Sequence, residues 1–189
     1  MGPALPNVAI VTVDESDRVL PADADGEVCI AGPNIMPGYY KLPEQTRAVF
    51  VALDAPAGHP GSPPGRRRFF RTGDIGHLDA DGYLFITGRK KEMLIIAGEN
   101  VFPREIEEVL NHHPSVRDSA VIGKMDGLRG QVPVAFVELR YGQAFDETAL
   151  RSWCRDALAG YKIPREIVRV DALPRNPTGR ILRRQLRAD

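Results

Sequence analysis

The chain has 189 residues, with 25 Lys and Arg against 25 Asp and Glu, so its bulk charge favours neither nucleic acid nor a membrane surface. That length holds one large domain or two small ones with a real core. Two distant cysteines, Cys29 and Cys154, exclude a disulfide framework and point to a reducing compartment. No signal peptide stands out, and no apolar run approaches the roughly 20 residues of a membrane span, so a cytoplasmic location is expected.

In chain order, Val8–Val13 and Glu27–Ala31 are β-rich runs separated by an Asp- and Pro-containing turn. Gly32-Pro33-Asn34 and Pro37-Gly38-Tyr39-Tyr40 are loop chemistry. Pro43-Glu44-Gln45-Thr46 starts a short helix, with Thr46, Val49 and Phe50 able to face inward. The Pro/Gly-rich stretch Ala55–Gly65 lacks periodicity and reads as a flexible surface loop. The Arg66-Arg67-Arg68 run that follows reads as solvated charge rather than an anion patch.

The middle of the chain gathers the unusual polar groups. Gly73 is placed where a strand breaks, because a residue without Cβ takes positive φ readily. Asp74 has two readings: a surface-turn residue bonding its own backbone, or an acceptor-only carboxylate suited to a ribose diol. Asp79–Gly82 joins Ile75–Leu78 to Tyr83–Thr87 as a hairpin, since Asp-Gly between apolar runs is a hairpin signal. Arg89, Lys90 and Lys91 are adjacent cations that cannot share one face, so they fan into solvent or meet an anion. Met93–Ala97 is too short for a helix and reads as a buried strand ended by a Gly98-Glu99-Asn100 loop. Pro103 opens a helix at a first-turn position, with Ile106, Val109 and Leu110 inward and Glu105, Glu107 and Glu108 towards water.

His112 and His113 close that helix without a partner at metal-ligand spacing, so no metal is expected. Strands follow at Val116–Gly123 and Val132–Leu139, linked by the loop Asp126–Gly130. A second helix begins at the N-cap Asp146, carries Ala149, Leu150, Trp153, Cys154, Ala157 and Leu158 on one face, and stops at Gly160. Trp153 reads as a core anchor. After a short strand Glu166–Val170, Thr178 is expected to cap a helix faced by Ile181, Leu182 and Leu186. The tip of that helix, with Arg180, would attract an anion. The strands and helices after about residue 92 make a compact α+β domain of about 100 residues.

Three segments in this order carry a resemblance that covers essentially the whole chain. They are Arg71-Thr72-Gly73-Asp74, Gly88-Arg89-Lys90-Lys91-Glu92 and Gly98-Glu99-Asn100-Val101-Phe102-Pro103-Arg104-Glu105-Ile106-Glu107. The chain resembles the adenylate-forming enzymes: AMP-forming acyl-CoA synthetases, coumarate–CoA ligases, luciferases and peptide-synthetase adenylation domains. The Gly-Glu-Asn form looks most like fatty-acyl and medium-chain acyl-CoA synthetases. The implied fold class is α+β. Residues 1–89 would be the β-barrel-like end of a large N-terminal region. Residues 90–189 would be a mobile C-terminal domain with a three-stranded sheet, flanking helices and a two-stranded hairpin.

By the same resemblance Asp74 would hold ribose hydroxyls and Arg89 would contact ribose or phosphate. Lys91 would be the hinge, Ala97, Gly98 and Glu99 would line the CoA tunnel, and Arg180 would stand at the family's catalytic lysine position. The implied reaction is ATP-dependent activation of a carboxylic acid, fatty or aryl, followed by transfer to CoA. ATP, Mg2+ and CoA would serve the full-length enzyme, with none tightly bound to this chain. The family's phosphate loop, its Tyr-Gly-x-Thr-Glu segment and its acyl pocket are absent from these residues. The partner is therefore a missing N-terminal domain, with ATP or AMP and CoA, and the fragment alone should be inactive. The alternatives are an adenylation domain that loads a carrier protein and a non-catalytic module binding nucleotide or CoA.

Overall fold

The β-branched runs near the start pair as expected: β1 (Ala9–Val13) lies antiparallel to β2 (Gly26–Ala31), with Val11 opposite Cys29. The structure, a computed structural model, describes residues 2–55, 65–127 and 130–187. It divides into two compact units, Met1–Lys91 and Glu92–Asp189. Most of the expected loop at 55–65 lies outside the described residues.

In the first unit β3 (Phe50–Ala55), β4 (Gly65–Leu78) and β5 (Leu84–Arg89) complete a five-stranded antiparallel sheet, in the order β1-β2-β4-β3 with β5 also on β4. Val11, Val13, Cys29, Leu53 and Phe69 bury one side, while Ile10, Val28 and Leu84 form a second cluster. Two expectations change. Arg66, Arg67 and Arg68 belong to β4, opposite Asp54, Leu53 and Ala52, and the Arg68 guanidinium sits 3.5 Å from the Phe50 ring centre. Strand pairing and stacking, rather than solvation alone, hold this run. Nor does the chain break at Gly73, since β4 runs through it. The short helix α1 (Pro43–Ala48) buries none of its residues, and Thr46, Val49 and Phe50 are half-buried.

The second unit is an α+β layer. β6 (Leu94–Ile96) and β7 (Glu99–Val101) form a hairpin joined to β9 (Gly130–Leu139) through Ile96 and Gly130. β8 (Val116–Asp126) runs antiparallel to β9, and β10 (Glu166–Val170) runs parallel to it. The parallel connection passes through α3 (Glu147–Ala157), as a crossover must. Asp146 caps α3 by accepting the Ala149 N–H at 3.0 Å. α2 (Pro103–Asn111) and α3 cover one face of the sheet, burying Ile106, Leu110, Leu150 and Cys154 against Val121, Ala135 and Val137. The other face, with Ala120, Val134 and Phe136, is covered by Leu173 and Leu186, and Ile181 packs against them.

Four expectations fail here for identifiable reasons. Glu107 is buried rather than solvated, because its carboxylate accepts the Val121 N–H and pairs with Arg183. Trp153 is 39% exposed. Its indole N–H donates to Val109 O at 2.9 Å and its ring meets His113 edge-on, so it closes the seam between α2 and α3 from outside. α3 ends at Ala157, before Gly160, which starts a separate 3-10 turn. No helix follows Thr178: the segment is a tight turn and a 3-10 turn at Arg183–Gln185. Too few residues there can turn inward at helical spacing while Leu173, Ile181 and Leu186 lie flat on the sheet. No helix among the described residues is long and apolar enough to cross a membrane.

Candidate functional site

Gly73 has φ +71°, and a Cβ there would meet nothing within 4 Å, so its requirement is conformational rather than steric. It allows a bulge. Opposite β2, Glu27 pairs with Ile75 and Cys29 with Arg71, so β4 has two more residues than β2 between these pairs. Thr72 locks the bulge. Its hydroxyl donates to Val28 O at 2.9 Å and accepts the Asp74 N–H at 3.0 Å. The local side-chain bond is thus made by Thr72, and the Asp74 carboxylate is left for another partner.

That partner is Arg89. The two residues face each other across β4 and β5, with Arg89 Nε 3.1 Å from Asp74 Oδ1. A bulge between Ile75 and Gly76 sets this register. A carboxylate offers about four lone-pair sites, so Asp74 can keep Arg89 and still accept hydroxyls. A guanidinium whose other nitrogens reach solvent can add an anion. Bulges often re-aim a side chain beside a functional site. Lys91 closes the first unit, and the units divide between it and Glu92, two residues past the expected boundary.

In the second unit, Ile96 pairs with Glu99, leaving Ala97-Gly98 as a two-residue turn. Both have positive φ, +53° and +88°, the pattern of a type I′ hairpin. Glu99 and Asn100 are therefore strand residues of β7, not loop. Ile95 between buried Leu94 and Ile96 is 54% exposed, so the predicted buried strand buries only one face. The Gly98 surroundings are open, which leaves its backbone accessible.

Arg180 ends a turn organised by Asn176. The Asn176 Oδ1 accepts the Thr178 N–H, the Thr178 hydroxyl and the Arg180 N–H at 3.1, 2.8 and 2.8 Å. Arg175 donates to Gly179 O at 3.0 Å and pairs with Asp118. The segment is pinned further by two buried acids: Glu138 accepts the Leu173 N–H at 3.1 Å, and Glu107 holds Arg183. Burial alone would lower the Arg183 pKa, but the hydrogen bond and charge of Glu107, with Glu92 and Asp118, raise it above its ordinary value. Sequence reasoning missed Asn176, Glu107 and Glu138. The Asn-Pro signal of a turn was available. The two glutamates gave none, since their partners lie distant in sequence.

The structure thus joins Asp74 to Arg89 in the first unit. Ala97, Gly98 and Glu99 sit on one hairpin of the second, and Arg180 sits on its terminal turn. Among the described residues no cluster of His, Cys, Asp or Glu could hold a metal ion. No buried side-chain polar atom among them lacks a partner.

Comparison with known proteins gives the class. Residues 105–180 match the AMP-binding enzyme C-terminal domain. The chain is 43% identical over 162 residues to 2-succinylbenzoate–CoA ligase from Geobacillus kaustophilus, covering 86% of this chain and 30% of that one. It is 39% identical over 186 residues to the fatty acid–acyl-carrier-protein ligase ScoC of Streptomyces coeruleorubidus, covering 98% and 33%. Among solved structures it superposes on ATP-bound MatB from Rhodopseudomonas palustris with a TM-score of 0.82 and 36% identity, over 96% of this chain and 33% of that one. Residues 105–180 thus carry the match to the AMP-binding enzyme C-terminal domain, and the curated relatives named here are ligases. The chain spans between 30% and 33% of the length of these proteins.

Proposed function

We propose that the chain supplies the C-terminal part of an ATP-dependent, AMP-forming carboxylic acid–CoA ligase. The observation that carries this is the Asp74–Arg89 pair, built by a bulge on adjacent strands just before the start of the second unit, which contains the match to the AMP-binding enzyme C-terminal domain. In the first half-reaction a carboxylate attacks the α-phosphate of ATP, the bond to pyrophosphate breaks, and acyl-AMP forms. In the second a thiolate attacks the acyl carbon and AMP leaves.

Asp74 accepts the ribose hydroxyls and Arg89 adds a charge-assisted contact to ribose or phosphate. Arg180 presents its cation to the α-phosphate and carboxylate as charge builds. The Gly98 edge, flanked by Ala97 and Glu99, later lines the path of the thiol after rotation at Lys91. Mg2+ arrives with the triphosphate, as it does in phosphoryl-transfer sites generally. The phosphate loop and acyl pocket come from residues outside these 189. Two unpaired, buried cysteines fit a reducing, cytoplasmic setting.

One observation favours a second acceptor: ScoC, which matches 98% of this chain and is 33% covered by it, is a fatty acid ligase to acyl-carrier protein. Assaying the full-length enzyme against carboxylic acids, with CoA or a phosphopantetheinyl carrier as acceptor, separates the two. Acyl-CoA is expected. Asp74→Ala should raise KM for ATP about tenfold or more, in line with loss of a charge-assisted hydrogen bond worth about 1.5–3 kcal/mol, with the fold intact. An unchanged KM for ATP would remove Asp74 from the site.

A further inference from the structure

The connection between the two units is a single 3-10 turn, Lys90–Glu92, and its two ends are tied in opposite directions. Lys90 Nζ lies 2.8 Å from Glu27 Oε2. Glu27 is a buried residue of β2 that also accepts Arg71 Nη1 at 2.7 Å, and Arg71 pairs in turn with Asp17. On the other side, Glu92 Oε2 lies 3.1 Å from Arg183 Nη1. Arg183 is fixed by two bonds to buried Glu107, Nε to Oε1 at 3.1 Å and Nη2 to Oε2 at 2.6 Å. Between them stands Lys91, exposed, its side chain without a hydrogen bond or ion pair among the described residues.

We propose that Glu27 and Arg183 are positioning residues that clamp the flanks of this connection, each to its own unit, and so confine rotation to Lys91. The purpose of the device rests on the ligase reading above; its geometry does not. An isolated exposed ion pair contributes little, because two long side chains must be ordered to form it. Here each anchor is already ordered by a second partner, Glu27 by Arg71 and Arg183 by Glu107, so only Lys90 or Glu92 loses freedom on closing the clamp. A pivot of one residue has two soft dihedrals, whereas three loose residues would have six. The second unit then moves between few orientations instead of wandering. Arg183 also lies three residues beyond Arg180, so the same side chain ties the Arg180 turn to the pivot end of its unit.

The clamps can be removed without orphaning a buried charge. Lys90→Met leaves Glu27 with Arg71, and Glu92→Gln leaves Arg183 with Glu107. Backbone amide 15N relaxation is measured for residues 88–94 of the 189-residue chain, without nucleotide, acid or CoA. The expected profile has its minimum order parameter at Lys91, with both neighbours near the rigid value of about 0.85. Lys90→Met should drop residue 90 towards the flexible range below about 0.6 and leave residue 92 unchanged. Glu92→Gln should do the reverse. A flat profile across residues 90–92, or a variant that leaves its own residue as rigid as before, overturns the proposal. Loss of the ligase reading shows elsewhere, as absence of acyl thioester from the full-length enzyme while this relaxation pattern persists.

Discussion

Arg180 is the residue at which the chain departs from the pattern it resembles. An arginine keeps the charge of a lysine but spreads it over a planar fork, and it cannot sit as a compact donor between two oxygens. The Asn176-centred turn fixes its backbone by a bond to the Arg180 N–H, so the difference rests in the side chain. Arg180→Lys is expected to raise carboxylate-dependent pyrophosphate exchange in the full-length enzyme; equal rates would show the departure to be harmless. The cysteines give a second prediction at this scale. Desolvation raises the thiol of Cys29 to about 12 and that of Cys154 to about 11, from 9.0. A folded thiol that holds its proton more tightly adds stability in full below about pH 9, and that stability is lost as pH rises through the folded values. Both thiols should resist alkylation at pH 8. The urea midpoint should fall between pH 9 and 11, with a shallower fall in Cys154→Ala.

At the scale of elements, the Asp74–Arg89 pairing depends on how closely β4 and β5 approach at Gly76. A Cβ built there would stand 2.1 Å from Phe85 O and 3.1 Å from Phe85 C, both backbone atoms that cannot turn aside. Gly73, three residues earlier, has open space and only its positive φ to protect. Gly76→Ala should therefore cost about 3 kcal/mol by overpacking, and Gly73→Ala only about 1 kcal/mol by backbone strain. Urea denaturation of the two variants measures this; a larger loss at Gly73 would mean that the bulge, not the strand approach, limits the sheet. Element identity was largely legible beforehand, because period-2 runs, Pro103 at a first turn and Asp146 as a cap are local signals. The terminal segment was not. Thr178, Ile181, Leu182 and Leu186 suit a helix locally, but the apolar sheet face of Ala120, Val134 and Phe136, which would otherwise meet water, draws Leu173, Ile181 and Leu186 into an extended cover.

At the scale of the whole molecule, each unit has its own core, and the candidate residues are shared between them. Asp74, Arg89 and Lys91 belong to the first, and Ala97, Gly98, Glu99 and Arg180 to the second. With no phosphate-binding loop or acyl pocket in its residues, the purified chain should form no acyl-CoA from ATP, a carboxylic acid and CoA. Product above a no-enzyme control would refute the division of labour proposed here.

Local sequence alone determined most of the strands, though not β3, β7 or the first half of β4, together with the two main helices, the Asp-Gly hairpin and the order of the motifs from Arg71 to Glu107. Each rests on propensities and spacings within a few residues. Tertiary structure alone decided that Glu107 turns inward to Arg183, that Trp153 stays outside, and that the arginine run is a strand. It also decided that Thr72-Gly73-Asp74 is a bulge within a continuous strand. In every such case the deciding partner lies many residues away or on another strand, and the cost of burying a charge or leaving a face uncovered outweighs the local preference.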